Sequence, residues 1–159
     1  MLRPACRRCT ARRGIREPVA CRLPPHLTVC RRHRLWIGPS ARTHAGQLDV
    51  SQLPEILRAQ RRHLAQLHHH RWWGVEAAIS DATHTIHSFL RAGIWTPRQR
   101  QRLHQLDPGT WPQAAPRADP GWQYNLSGNL VIEIATYPDV VRLAAHNLQR
   151  HNASDREAS

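Results

Sequence analysis

The chain of 159 residues contains no lysine: all 23 basic residues are arginine, and they face only 11 acids. It holds a single Phe, a single Met and two Tyr, so its aromatic character rests on six Trp. No stretch of eighteen apolar residues occurs, which excludes a transmembrane helix of ordinary length. The opening Met-Leu-Arg-Pro-Ala-Cys lacks the apolar core of a signal peptide, so a cytoplasmic, reducing location is expected. In that setting four cysteines serve better as metal ligands than as disulfides. A glycine-rich phosphate loop, a Gly-x-Ser-x-Gly elbow and paired carboxylates beside a histidine are all missing, and no enzymatic activity is expected. Glu76 and Asp81 share a helix but make no such constellation.

What is present is concentrated at one end. Cys6-x2-Cys9 is followed, after twenty residues, by Cys30-x2-His33. The two-residue spacer lets both members of a pair reach one ion from a tight turn. Three thiolates and one imidazole suit Zn2+ and close its tetrahedral shell, leaving no position for a reacting water. The expected site is therefore one structural zinc ion held by Cys6, Cys9, Cys30 and His33. Cys21 and His26 each lie alone, and either could replace one of the four. The other histidines read as surface: His84 and His87 on the solvent side of a helix, His68-His69-His70 at a polar helix end, and His146 and His151 beyond.

Charge gathers around the same pairs. Residues 1–44 hold 11 Arg against the single acid Glu17, whereas the other 115 residues carry 12 Arg and 10 acids. GC-rich coding would enrich arginine along the whole chain and would not pack it into the first quarter. Arginine offers a planar fork of donors matched to phosphate. Arg7, Arg8, Arg12, Arg13 and Arg16 follow the first pair, and Arg31, Arg32 and Arg34 surround the second, which marks these eight as candidate contacts to nucleic acid, expected to be double-stranded DNA.

The expected fold is mainly α: a small zinc knuckle or ribbon module over residues 1–38, a polar linker over 39–50, a helical domain of four to five helices over 51–150, and a disordered tail over 151–159. A module this small buries too little apolar surface to fold unaided, so metal should supply its stability. One helix should begin at Ser51 as N-cap, with Leu53, Ile56, Leu57, Leu64 and Leu67 on its apolar stripe. A second spans about 72–91, with Val75, Ile79, Ala82, Ile86 and Phe89 inward and Gly93 as its stop. Thr96-Pro97 opens a third, closed by Asp107-Pro108-Gly109. The prolines at 108, 112, 116 and 120 predict an irregular loop. Leu130–Ala135 suits a strand or a helix, and the absence of a partner strand favours helix. Tyr137-Pro138 should start a last helix, and its junction is where a helix-turn-helix could form, although Arg142 and Arg150 are its only basic groups.

The order Cys6-x2-Cys9, a proline-containing spacer, then Val29-Cys30-Arg31-Arg32-His33 with the apolar pair Leu35-Trp36, resembles the amino-terminal zinc-binding region of the TniQ family. The likeness covers about 35 residues, and the chain lacks the further cysteine pair that members often carry after the histidine. It implies the same four ligands, and a role in DNA or protein recognition accessory to transposition or target selection. A different reading makes the chain a protein-binding adaptor, with Trp72, Trp73, Trp95, Trp111 and Trp122 as interface anchors.

Overall fold

The computed structural model describes residues 2–108 and 129–157, with side chains of the last helix described as far as His151. The proline-rich segment read as a loop, with Trp111 and Trp122, lies largely outside these residues. Among the described residues the chain is mainly helical, with small two-stranded sheets near its start.

The first strand, β1 (Leu2–Pro4), pairs antiparallel with β2 (Ala20–Arg22), placing Arg3 opposite Cys21. Between them lies a short helix, α1 (Arg7–Ala11), followed by a turn in which Gly14 takes a φ of 76°. β3 (Val29–Cys30) and β4 (Leu35–Trp36) form a hairpin. Its turn carries Arg34 at a φ of 53°, and the Arg34 N–H closes it on the Cys30 carbonyl at 2.7 Å.

The stretch expected to be a linker packs against this hairpin instead. The Trp36 N–H donates to the Leu48 carbonyl, the Val50 N–H donates to that of Arg34, and Ala41, Gln47 and Val50 are buried. Gly38 passes so close to the indole that a Cβ there would lie 2.7 Å from Trp36, which only glycine permits.

Four longer helices follow: α2 (Pro54–His69), α3 (Trp72–Arg91), α4 (Pro97–Leu106) and α5 (Leu130–Glu157). Ser51 is not the cap of α2; its N–H bonds the Asp49 carboxylate, and Leu53 stands at the N-cap before Pro54. Proline takes the first helical position because it lacks an N–H that would go unused there. The buried positions of α2 are Ile56, Ala59, Gln60, His63 and Gln66, a face more polar than the expected leucine stripe. In α3, Val75 and Ala82 are buried as expected, but Phe89 is exposed and Leu90 takes the core position. α4 begins with a full capping box: the Gln99 N–H donates to Thr96 Oγ1, and the Thr96 N–H donates to Gln99 Oε1.

α5 departs most from expectation. Leu130–Ala135 is helical, but the helix runs unbroken through Pro138, so no helix-turn-helix forms at Tyr137-Pro138. Asn129 caps its start, accepting from the N–H groups of Val131 and Ile132. The segment expected to be a disordered tail is helical as far as Glu157. α5 packs against α2, α3 and α4 together, so apolar residues ring much of its circumference. Ile132 belongs to one core cluster with Leu90, Trp95 and Leu103, while Ile134 belongs to another with Val29, Trp36 and Ile56.

One apolar cluster therefore joins the cysteine-bearing end to the helices. Trp36 is fully buried and stands edge-on to Tyr137, with ring centroids 5.2 Å apart. A buried polar knot ties α4 to α5: Asp139 accepts from Arg102 at 2.7 Å, from Arg142 at 2.6 Å and from Gln99 at 3.1 Å. Among the described residues no helix is long and apolar enough to cross a membrane.

Candidate metal centre

Two local structures deliver the ligands. Cys6 and Cys9 lie at the start and within the single turn of α1, where the N–H groups of Cys9 and Thr10 bond the Cys6 carbonyl. Cys30 ends β3, and His33 sits three residues on in the hairpin turn. The four ligand atoms lie within 4.8 Å of one another, an arrangement that could hold one metal ion. His33 Nδ1 stands 3.2 Å from the Cys9 sulfur, 3.5 Å from that of Cys6 and 3.7 Å from that of Cys30. The Cys9 and Cys30 sulfurs are 3.7 Å apart, far beyond the roughly 2.05 Å of a disulfide, and all four cysteines are free.

Neither alternative ligand joins the group. Cys21 belongs to β2 opposite Arg3, and the His26 ring stands edge-on to His63 with centroids 6.3 Å apart. Among the described residues no second cluster of metal-binding type forms. His84 is exposed, while His87 is half-buried at a cavity wall, not on the solvent side, and burial lowers its pKa.

Buried polar side chains hold the two ligand-bearing segments in place, and none was legible as functional in the sequence. Gln47 Oε1 accepts the Arg7 N–H at 2.8 Å and its Nε2 donates to the Ala5 carbonyl, fixing the chain on both sides of Cys6. Arg3 donates to the carbonyls of Pro24, Leu27 and Ile37, cross-linking both halves of the module. Gln60 reaches from α2: its Oε1 accepts from the N–H groups of Thr28 and Val29 and from the Thr28 hydroxyl, and its Nε2 donates to the His26 carbonyl. These struts fall on residues distant in sequence, so no local spacing announces them.

The eight arginines divide into two groups. Arg7 donates to the His44 carbonyl, and Arg8 pairs with Asp49 at 3.0 Å while also donating to the His33 carbonyl. Both thus take part in internal bonding. Arg12, Arg13, Arg16, Arg31, Arg32 and Arg34 are exposed and form no ion pair among the described residues. The field near the ligands is positive: desolvation lowers the His33 pKa first, and Arg32, Arg12 and Arg8 lower it further. Burial pushes the Cys6 thiol up. A bound cation would oppose that rise by stabilising the thiolate.

The tryptophans also divide. Trp95 is buried in the helical core and is no interface anchor, whereas Trp72 and Trp73 are 64% and 53% exposed at the start of α3. Arg71 lies over the Trp73 ring at 5.1 Å. Comparison with family models, with curated proteins and with solved structures finds no match to this chain.

Proposed function

We propose that this protein is a zinc-stabilised DNA-binding protein in which one Zn2+, held by Cys6, Cys9, Cys30 and His33, shapes an arginine-rich surface. Supporting the metal's identity, a tetrahedral ion with Zn–S bonds of about 2.3 Å requires sulfur–sulfur edges of roughly 3.8 Å, and Cys9 and Cys30 already stand 3.7 Å apart. When bound, zinc would supply charge and a rigid cross-link, and four protein ligands would fill its shell, leaving no position for a reacting water. Three reduced thiols at one site suit a reducing compartment such as the cytoplasm.

The observation that carries the DNA reading is the set of six exposed arginines flanking the cluster without internal counter-charges. Their number sets the expected salt dependence. Six phosphate contacts on B-DNA give a log–log slope of about −5, or a loss of roughly three powers of ten in affinity between 50 and 200 mM salt. The resemblance to the TniQ zinc region adds an accessory role in transposition or target selection as the biological setting.

A mobility shift on random duplex, with and without chelator, tests metal and polyanion together. Wild-type protein should retard the duplex, and chelation or the change of Arg12, Arg13, Arg31 and Arg32 to Ala should abolish the shift. Retardation that survives both would reject the reading. The exposed Trp72–Trp73 pair favours a second one, a protein-binding adaptor. Such an adaptor would keep its partner at high salt and lose it on Trp72→Ala/Trp73→Ala.

A further inference from the structure

A second basic feature lies away from the cysteine cluster, on the helices. α2, α4 and α5 enclose a hollow of about 520 Å³ at the level of Pro138. Five arginines line it: Arg58 and Arg62 one turn apart on α2, Arg98 and Arg102 one turn apart on α4, and Arg142 on α5. Glu55 and Asp139 are the acids in its wall, so three positive charges stay uncompensated there. The carboxylate of Asp139 is already shared between Arg102 and Arg142.

Arg102 shows that the hollow is more than a solvated charged face. It is only 3% exposed, yet its Nη1 is buried without a hydrogen-bond partner. A buried, unpaired guanidinium donor is costly, and an anionic oxygen is the group that best satisfies it. Arg102 is also held in place by the Asp139 contact and by donation from its Nε to the Arg98 carbonyl. An adjoining hollow of about 510 Å³ shares Arg62 and Arg142 and leads along α2 and α5 past His69, His70 and His146.

We infer that the groove between α2, α4 and α5 is a phosphate-binding site, with Arg102 as its buried anchor and Arg58, Arg62 and Arg98 as its exposed clamps. Converging forks on three helices match the several oxygens of a phosphate group. The same chemistry is offered by a free phosphate and by the phosphodiester of a nucleic-acid strand lying along the two hollows. The inference stands independently of the arginines around the metal.

The test uses the full metal-loaded chain and two probes, inorganic phosphate and a thymidine octanucleotide, titrated at constant ionic strength while arginine Nε resonances are followed by NMR. The comparison variant is Arg58→Gln/Arg62→Gln/Arg98→Gln, three exposed positions outside the Asp139 knot. Saturable shifts at Arg102 with inorganic phosphate, weakened at least about tenfold in the variant, would support a free-phosphate site. Saturation by the octanucleotide alone, weakened by a similar factor, would support a phosphodiester site. No saturation with either probe, or equal affinity in the variant, overturns the inference. If oligonucleotide binding is instead lost on changing Arg12, Arg13, Arg31 and Arg32 to Ala and kept in the groove variant, the inference fails while the DNA-binding proposal stands.

Discussion

Removing the metal should melt the cysteine-bearing end locally and leave the helices folded. The apolar cluster beneath the candidate ligands consists of Cys6, Leu35 and Ile37 with Cys9, Leu23, Leu27 and Cys30 at its edge, so three of its seven members are themselves candidate ligands. Without an ion that cluster loses its cross-link and is left with the Arg3 and Gln47 hydrogen bonds. Structural zinc contributes about 10–16 kcal/mol in small modules, which rivals the roughly 5–15 kcal/mol stability of an entire domain. The melting should nonetheless stop at β3 and β4, because Val29 and Trp36 belong to the core shared with α2 and α5 and Gln60 holds the Thr28 and Val29 amides. Native-state hydrogen exchange can locate this boundary. Chelation should collapse protection at the Cys9 and Thr10 amides, which bond within the first ligand-bearing turn, while protection at Thr28 and Val29 changes by less than about tenfold. Cys30→Ser should act in the same direction; one ligand of four represents about 3 kcal/mol, or roughly a hundredfold in metal affinity. Unchanged protection at Cys9 and Thr10 after chelation, with no stoichiometric metal released, would refute the argument.

Other predictions concern the surrounding supports. His63 is buried 3.0 Å from the Tyr137 hydroxyl, and burial, with the His26 charge adding to it, lowers its pKa to about 4. The unfolded chain binds more protons between pH 6.5 and 4, so the stability is complete above pH 6.5 and lost as pH falls towards 4, by about 3 kcal/mol; urea titrations should show this slope, and His63→Gln should flatten it. Gln60→Leu should cost about 3–5 kcal/mol by stranding the Thr28 and Val29 amides and the His26 carbonyl, read as a lower urea midpoint with an unchanged m-value. Asp139→Ala leaves Arg102 buried without its counter-charge and should cost about 3–5 kcal/mol, seen as a lower Tm.

The spacing of Cys6, Cys9, Cys30 and His33 pointed to the four residues that the structure gathers into one cluster, because each pair sits on a single local turn; only the fold set Cys21 and His26 apart from them. Local chemistry likewise revealed α3 from its apolar period and α4 from Thr96-Pro97. α5 was legible only in pieces: its first turns are packed on several sides, its exposed polar stripe of Arg142, His146, Gln149 and Arg150 starts only after Pro138, and proline reads as a helix boundary. Residues 39–50 read as a linker because their polar composition hides that Ala41, Gln47 and Val50 point inward.

The sequence by itself determined the mainly helical class, the candidate ligands and the concentration of arginine near them, since each depends on spacing or on charge along the chain. Only the tertiary structure decided which side chains have work inside the fold. It assigned Arg7 and Arg8 to internal bonds, placed Trp95 in the core while leaving Trp72 and Trp73 exposed, and gathered five arginines from three helices around one hollow. Those decisions join residues up to 87 positions apart, from Glu55 to Arg142, and packing in three dimensions sets such distances.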